Sequence, residues 1–221
     1  MNGSLYIAVN MKTFFIFLAT VALHLNVLYA EDVEDFLRGR EIVIERQRAC
    51  KQPVNLRPIF DNFHNTLRQK VAGGIPINYQ YFQKRLMYGL IYDCLMEKDA
   101  DKAVRNPNAL IDLPVVRFST EYGGDKGRLP NAVENGFEDL IVKDKKALIQ
   151  MIYPKATRFA CARTVKRGSP GYSRIDVACV YDKKAELTAF DGKGPCSKDE
   201  DCTYFGGKCQ WHLCYVPLKY Q

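Results

Sequence analysis

The sequence is poor in histidine and tryptophan. Its 221 residues include only three histidines and one tryptophan. His24 lies in an apolar N-terminal run, so His64 and His212 are the imidazoles left for the rest of the chain. No Ser–His–acid or Cys–His triad emerges, because every cysteine is better used in a disulfide. We therefore predict no catalytic residue, no cofactor and a protein that is not an enzyme.

Several other features are missing beyond residue 30. The chain has no further long apolar run, so we expect no membrane span. Its basic residues are scattered despite a formal net charge of +7, and no basic stripe is interleaved with aromatics, which argues against a nucleic-acid partner. No N-x-S/T sequon follows Ala30, so N-glycosylation is not expected. No internal repeat or low-complexity tract is present.

The N-terminal run itself predicts secretion. Met11 opens the segment MKTFFIFLATVALHLNVLYA, in which Lys12 is the only charge. The apolar stretch is too short for a membrane span and fits the core of a signal peptide cleaved near Ala30. We assign residues 1–30 to a signal peptide and 31–49 to an N-terminal segment. The mature chain would be extracellular, where cysteines pair.

The even number of cysteines predicts a complete disulfide framework. They are Cys50, Cys94, Cys161, Cys179, Cys196, Cys202, Cys209 and Cys214. None of the spacings is CxxC, which disfavours a zinc site. The last four lie in a tail with too few apolar residues to fold by burial alone. Cys196–Cys209 with Cys202–Cys214 is the favoured pattern, although spacing does not exclude the other pairings.

The remaining cysteines accompany predicted secondary structure. Two strand-like runs, TRFACARTV and RIDVACVYD, flank a Gly- and Pro-rich turn and indicate an antiparallel hairpin that a Cys161–Cys179 bridge would clamp. By elimination, Cys50 would pair with Cys94. Apolar spacing predicts helices over about 59–74, 92–104 and 132–140. Residues 105–131 are expected to be mostly irregular, and 147–153 to form a buried strand. This order indicates an α+β domain.

Four segments resemble the CAP superfamily (SCP/TAPS proteins), and within it the venom-allergen-like secreted proteins of nematodes. They are 63–68 (FHNTLR), 92–97 (YDCLME), 150–153 (QMIY) and 177–184 (VACVYDKK). The resemblance implies a three-layer α-β-α sandwich over residues 50–190, with a cysteine-rich C-terminal extension over 191–221.

The chain departs from the family where many members hold a divalent metal with two His and two acidic residues. Alignment with the family puts Ala147 at one His position, Asp139 at one acid, and Gly136 where a Trp is usual. Glu121 is a loose candidate for the second acid. Without either imidazole the usual metal site cannot form. The resemblance therefore implies a degenerate member with no metal.

Several residues that could carry chemistry are predicted to have structural roles. His64 is predicted to be a structural helix residue bonded to nearby backbone, and Glu134, Glu138 and Asp139 to form a solvated helix face. A tyrosine-rich stretch, residues 79–92, should be mostly core with some rings exposed for recognition. Trp211, on a small stapled loop, and Tyr204 are the candidate binding residues, with packing inside the tail as the alternative for Trp211.

Three binding functions follow as hypotheses. The first is recognition of a protein partner, directed at a host in the case of a parasitic source. The second is a sterol or lipid carrier, for which Asn108–Phe118 would supply an apolar cleft. The third is a protease or receptor inhibitor acting through the cysteine-rich tail. The oligomeric state is left open.

Overall fold

The computed structural model describes residues 50–53, 55–186 and 191–216. The predicted signal peptide and the segment 31–49 lie outside the described residues. The helices are α1 (Arg57–Gly73), α2 (Glu97–Arg105), α3 (Leu129–Lys143) and α4 (Lys145–Met151). The strands are β1 (Ile91–Tyr92), β2 (Val115–Tyr122), β3 (Arg158–Arg167), β4 (Ser173–Tyr181), β5 (Lys208–Gln210) and β6 (Leu213–Tyr215).

The first helix begins and ends where its sequence signals predict. Pro58 stands in the first turn of α1, where its missing N–H is not needed. Gly74 ends the helix in the left-handed conformation with φ 71°, and its N–H returns to the carbonyl of Lys70. A side chain at that position would be strained, which explains the glycine.

The main sheet is mixed, with strand order β1-β3-β4-β2. The predicted hairpin is confirmed as β3 and β4, which pair antiparallel with Cys161 directly opposite Cys179. β1 adds parallel to β3, and β2 adds antiparallel to the outer edge of β4. β5 and β6 form a separate two-stranded ribbon in the C-terminal extension.

Helices cover both faces of this sheet, so the three-layer sandwich is confirmed. Alternate residues of a strand point to opposite faces. Phe118 of β2 packs on Phe137 of α3, with ring centroids 4.7 Å apart. Its neighbour Arg117 points the other way and donates to the carbonyl oxygen of Ala103 in α2. α1 and α3 therefore lie on one face, and α2 lies on the other.

Three secondary-structure predictions were wrong in detail. The run 147–153 begins inside helix α4, not a strand. The Asp144 carboxylate caps that helix by accepting from the N–H groups of Lys146 and Ala147. Its buried positions, Ala147, Leu148 and Met151, recur at helical spacing. Short apolar runs do not distinguish a strand from a helix, and here the cap decides.

The other two errors concern strands that depend on long-range pairing. Residues 115–122 are strand β2 rather than irregular chain, and they pair along their whole length with β4. Tyr92 does not start the second helix but belongs to β1, which pairs with Arg158 and Phe159. A 3₁₀ turn, Cys94–Met96, then leads into α2. Partners far along the chain override local preference at both places.

All eight cysteines lie in described parts of the chain and form four disulfides. The bonds are Cys50–Cys94, Cys161–Cys179, Cys196–Cys209 and Cys202–Cys214. Each predicted or favoured pairing is thereby confirmed. The cysteines of the C-terminal extension are nearly all buried with Leu86 and Tyr88 in a small cluster of their own.

Candidate functional site

The HN-x-x-R segment of α1 is built into the core. Asn65 bonds both backbone groups of Leu90, accepting from its N–H at 2.8 Å and donating to its carbonyl at 3.0 Å. Arg68 is fully buried and donates to carbonyl oxygens of Tyr88, Met151, Tyr153 and Ala156 at 2.6–3.1 Å. These side chains hold loops in place and leave no free group for chemistry.

His64 is also structural, as its helical setting predicts. Its Nδ1 donates to the carbonyl of Phe60 at 2.7 Å, and its Nε2 accepts from the hydroxyl of Tyr181 at 2.9 Å. Burial is the main cause that lowers the pKa of His64 to about 3, so the ring is neutral at physiological pH. Both ring nitrogens are engaged, and neither can serve a base or a metal.

The YDC-x-x-E segment ties the entry of the chain to α2. The buried carboxylate of Glu97 accepts from the N–H groups of Lys51 and Gln52. It also accepts from the hydroxyl of Tyr92 at 2.8 Å. With the Cys50–Cys94 disulfide, these bonds fix residues 50–52 against the sandwich. The carboxylate of Glu97, the acid of this motif, therefore has a structural role.

The residues aligned with the family's metal ligands are not brought together. Ala147 is buried in α4 and has no ligand atom. Asp139 is exposed and pairs with Lys143 at 2.7 Å. Glu121 lies on the face of the sheet opposite α3, where it accepts from the hydroxyl of Ser169 at 2.7 Å. Gly136 lies over the ring of Phe118, which a Cβ would approach to 2.3 Å.

Trp211 and Tyr204, the candidate binding residues of the extension, are both packed against neighbouring groups. The carbonyl of Trp211 accepts from Gln69 of α1 at 2.9 Å, and its ring meets that of Tyr215 edge-on. Tyr204 stacks on Tyr88 and donates to Asp191. The ammonium groups of Lys155 and Lys193 lie within 5.3 Å of its ring centre. Both aromatic rings mainly join the extension to neighbouring groups.

A groove of about 890 Å³ lies between α1 and α3. Its floor and walls are partly apolar, and acidic side chains of α3 form one lip. The lining residues are Ile59, Asn62, Phe63, Thr66, Leu67, Lys70, Pro76, Ile77, Asn78, Glu134, Glu138, Asp139, Ile141 and Val142. The acidic cluster noted in the sequence thus lies beside a groove, which spacing alone did not reveal.

A turn with left-handed backbone adjoins this groove, and Pro76, Ile77 and Asn78 contribute to the groove lining. Ile77 and Gln80 exchange backbone hydrogen bonds of 3.0 and 2.8 Å across a two-residue turn. The turn residues Asn78 and Tyr79 have φ of 47° and 63°, a conformation that non-glycine residues rarely adopt. Tyr79 is 97% exposed and Tyr81 is 82% exposed. Of the tyrosine-rich stretch, these two rings are therefore the ones available for recognition, whereas Tyr88 and Tyr92 are core.

Several solved structures share this fold. The Ancylostoma-secreted protein Ac-ASP-7 is 38% identical, with a TM-score of 0.66 over 78% of this chain and 95% of that chain. Manganese-bound Ac-ASP-7 is 37% identical, with a TM-score of 0.66 over 80% of this chain and 97% of that chain. Na-ASP-1 is 22% identical, with a TM-score of 0.61 over 79% of this chain and 50% of that chain. This similarity supports the fold alone. No family model and no curated protein matches the chain.

Among the described residues, the side chains close enough to share a metal ion form two groups, His64 with Cys161 and Cys179, and Cys196 with Cys202 and Cys214. Their sulfurs are in disulfides, so they offer no thiolate. The helices described here include none both long and apolar enough to span a bilayer.

Motif order, disulfide pairing, sheet topology and similarity to Ac-ASP-7 agree. The HN-x-x-R helix, the YDC-x-x-E turn and the VYDKK strand occupy one continuous core. The similarity extends over nearly the whole length of the relative. From this agreement we conclude that the chain belongs to the CAP superfamily of SCP/TAPS proteins.

Proposed function

We propose that this chain is a secreted, non-enzymatic binding protein that recognises a protein partner through the α1–α3 groove and the turn 77–81. The observation that carries the proposal is the near-complete exposure of Tyr79 and Tyr81 beside the groove. Tyrosine is favoured at recognition surfaces because it offers a large rigid contact area with a polar tip. Two such rings on one short turn form a preorganised contact.

The backbone of the turn supports a role in binding. A bulky residue in the left-handed region costs about 1–3 kcal/mol and persists where surrounding structure or function maintains it. Tyr79 makes no compensating contact with the core, since it is almost fully exposed. Glycine would fit this position without strain. The side chain of Tyr79 is therefore better explained by an external contact than by stability.

The groove indicates the chemistry of the partner. Phe63, Leu67 and Ile141 supply apolar surface, while Glu134 and Glu138 provide negative charge on one lip. An extended or helical segment that carries both apolar and basic side chains would complement this lining. The occupant we propose is such a segment of another protein.

Two arguments support a non-enzymatic role and an extracellular location. His64 has both ring nitrogens engaged, and all cysteines are in disulfides, so the described residues offer neither a base at His64 nor a thiol nucleophile. The predicted signal peptide and the disulfide framework support secretion. The relative Ac-ASP-7 is itself named a secreted protein.

The other two hypotheses receive less support. Within the stretch proposed for a lipid, residues 115–118 belong to β2, and the hollow beside them has a volume of about 290 Å³. Its lining combines apolar residues with four charged ones, Arg117, Lys166, Arg174 and Asp176. Charged groups in so small a hollow do not suit an acyl chain or a sterol. The inhibitor hypothesis requires a tail that presents Trp211, whose backbone is bound to α1. Deleting residues 195–221 would therefore disturb the core as well.

Selection from a random peptide library displayed on phage tests the proposal. The mature chain is the target, and a Tyr79→Ser/Tyr81→Ser variant is used for counter-selection. We expect enriched peptides that combine apolar and basic residues and bind the variant at least tenfold more weakly. The proposal would be contradicted if the selected peptides bound both forms equally, or if no peptide were enriched. A lipid that co-purifies with the mature chain, detected by native mass spectrometry, would favour the carrier instead.

A further inference from the structure

The other face of the sheet carries a separate hollow of about 290 Å³ with an unusual charge arrangement. It opens where α2 ends, between Val104 and Pro107 on one side and the strands β2, β3 and β4 on the other. Three cationic side chains, Arg117, Lys166 and Arg174, line it together with one carboxylate, Asp176. The lining therefore has a surplus of two positive charges.

The single carboxylate accepts hydrogen bonds from three side chains that line the hollow. Asp176 accepts from the hydroxyl of Ser119 at 2.6 Å, from Nζ of Lys166 at 2.8 Å and from Nε of Arg174 at 2.8 Å. Partial burial acts to raise its pKa, but the hydrogen bonds from Lys166, Ser119 and Arg174 hold it at about 2. Asp176 is thus ionised at all ordinary pH values and orients the cations around it.

The strand register places two of the cations side by side. Lys166 lies directly opposite Arg174 on the paired strands. Like charges in that position repel. Glu121, opposite Arg174 on β2, accepts from the N–H and the hydroxyl of Ser169. Asp176 is shared between Lys166 and Arg174.

Arg117 of β2 lines the same hollow. Its Nε donates to the carbonyl of Ala103 at 3.2 Å, which fixes the guanidinium. Its two terminal nitrogens have no hydrogen-bond partner among the residues that the structure describes, and the side chain is exposed. An arginine held by one nitrogen with its terminal pair free is suited to fork an oxyanion.

We propose that this hollow binds a sulfate ester of a sulfated polysaccharide. The free nitrogens of Arg117 would bind its oxygens from one side, and Lys166 and Arg174 from the other. Arg117, Lys166 and Arg174 are all exposed, so a chain that carries anionic groups at intervals can lie across them. An inorganic phosphate or a phosphorylated lipid headgroup offers the same oxyanion chemistry, and the test below separates these sources.

The experiment measures binding of heparin by the full mature chain with isothermal titration calorimetry at 0.15 M salt. An Arg117→Ala/Arg174→Ala variant is compared with Lys145→Ala/Lys146→Ala, which removes the same charge from exposed positions on α4. We expect the first variant to bind at least about tenfold more weakly, because each arginine donates charge-assisted hydrogen bonds. The control should lose less than about threefold, from net charge alone.

A second variant controls for misfolding of the first, and measurements with other anions distinguish the possible ligands. Lys166→Glu leaves both arginines in place and should weaken heparin binding to a similar extent. Equal losses in the arginine variant and the lysine control would overturn the proposal, since binding would then reflect net charge. Binding of inorganic phosphate or of vesicles containing a phosphorylated inositol lipid, without binding of heparin, would overturn the assignment to a polysaccharide.

Discussion

The hydroxyl of Tyr181 in β4 donates a hydrogen bond of 2.9 Å to Nε2 of His64 in α1. The two residues are 117 positions apart and both are fully buried. Nδ1 of the same ring donates to the carbonyl of Phe60, so the neutral tautomer is determined by its partners. This link joins the helix to the sheet at a point where the ring also packs against Phe159.

The first prediction is a loss of stability in mild acid. Because burial lowers the pKa of His64 from 6.5 to about 3, the unfolded chain binds a proton there between these values and the native protein does not. The free energy of unfolding should fall as pH drops below 6.5, by up to about 1.4 kcal/mol per pH unit from this group. Urea unfolding curves between pH 4.5 and 7.5 measure it.

Two variants provide the comparison. His64→Gln, which still offers a donor and an acceptor, should have a flatter dependence on pH in this range. Lys145→Gln, an exposed change that removes no imidazole, should retain the slope of the natural chain. If His64→Gln kept the full slope, other groups would be responsible for the acid sensitivity.

The second prediction concerns Arg68. Burial lowers its pKa only to about 10, so it remains charged while it donates to carbonyl groups on two loops. Arg68→Lys cannot reproduce the planar fork and should reduce the free energy of unfolding by at least about 3 kcal/mol. The exposed Lys145→Ala should change it by less than about 0.5 kcal/mol. A loss below 1 kcal/mol for Arg68→Lys, measured in urea, would contradict this structural role.

The third prediction tests the docking of the C-terminal extension. The N–H of Gly89 donates to the carbonyl of Cys214 at 2.8 Å, and a Cβ on Gly89 would lie 2.1 Å from the ring of Tyr215. Gly89→Ala should therefore destabilise the protein by about 1–3 kcal/mol through overpacking. Adding Tyr215→Leu should recover part of that loss, because it removes the clashing ring. Additive effects of the two changes in thermal unfolding would show that the segments do not touch.

The fourth prediction separates stability from recognition at Tyr79. Tyr79→Gly relieves the left-handed strain, so stability should stay constant or rise by up to about 1 kcal/mol. Binding of the peptides selected on the natural chain should nevertheless fall. Tyr81→Ser, which removes the neighbouring exposed ring, should weaken binding without a gain in stability. A Tyr79→Gly variant that is less stable and binds normally would contradict the proposed role of the turn.

Local chemistry in the sequence was sufficient for several elements. The apolar spacing with Pro58 and Gly74 predicted α1, and the paired runs around Gly168 and Gly171 predicted the β3–β4 hairpin. The four closely spaced cysteines near the C-terminus predicted a tail held together by disulfides. These features depend on contacts between residues close in the chain, so their signals lie side by side in the sequence.

Tertiary structure decided the features that bear on function. β1 and β2 exist because distant strands pair with them, and α4 replaced a predicted strand because Asp144 caps it. The sequence placed Glu134 and Glu138 on one helix face, but only the packing of α3 beside α1 made that face the lip of a groove. Likewise, burial alone separated Tyr79 and Tyr81 from the core tyrosines. Exposure and juxtaposition are properties of the packed molecule, and no local pattern encodes them.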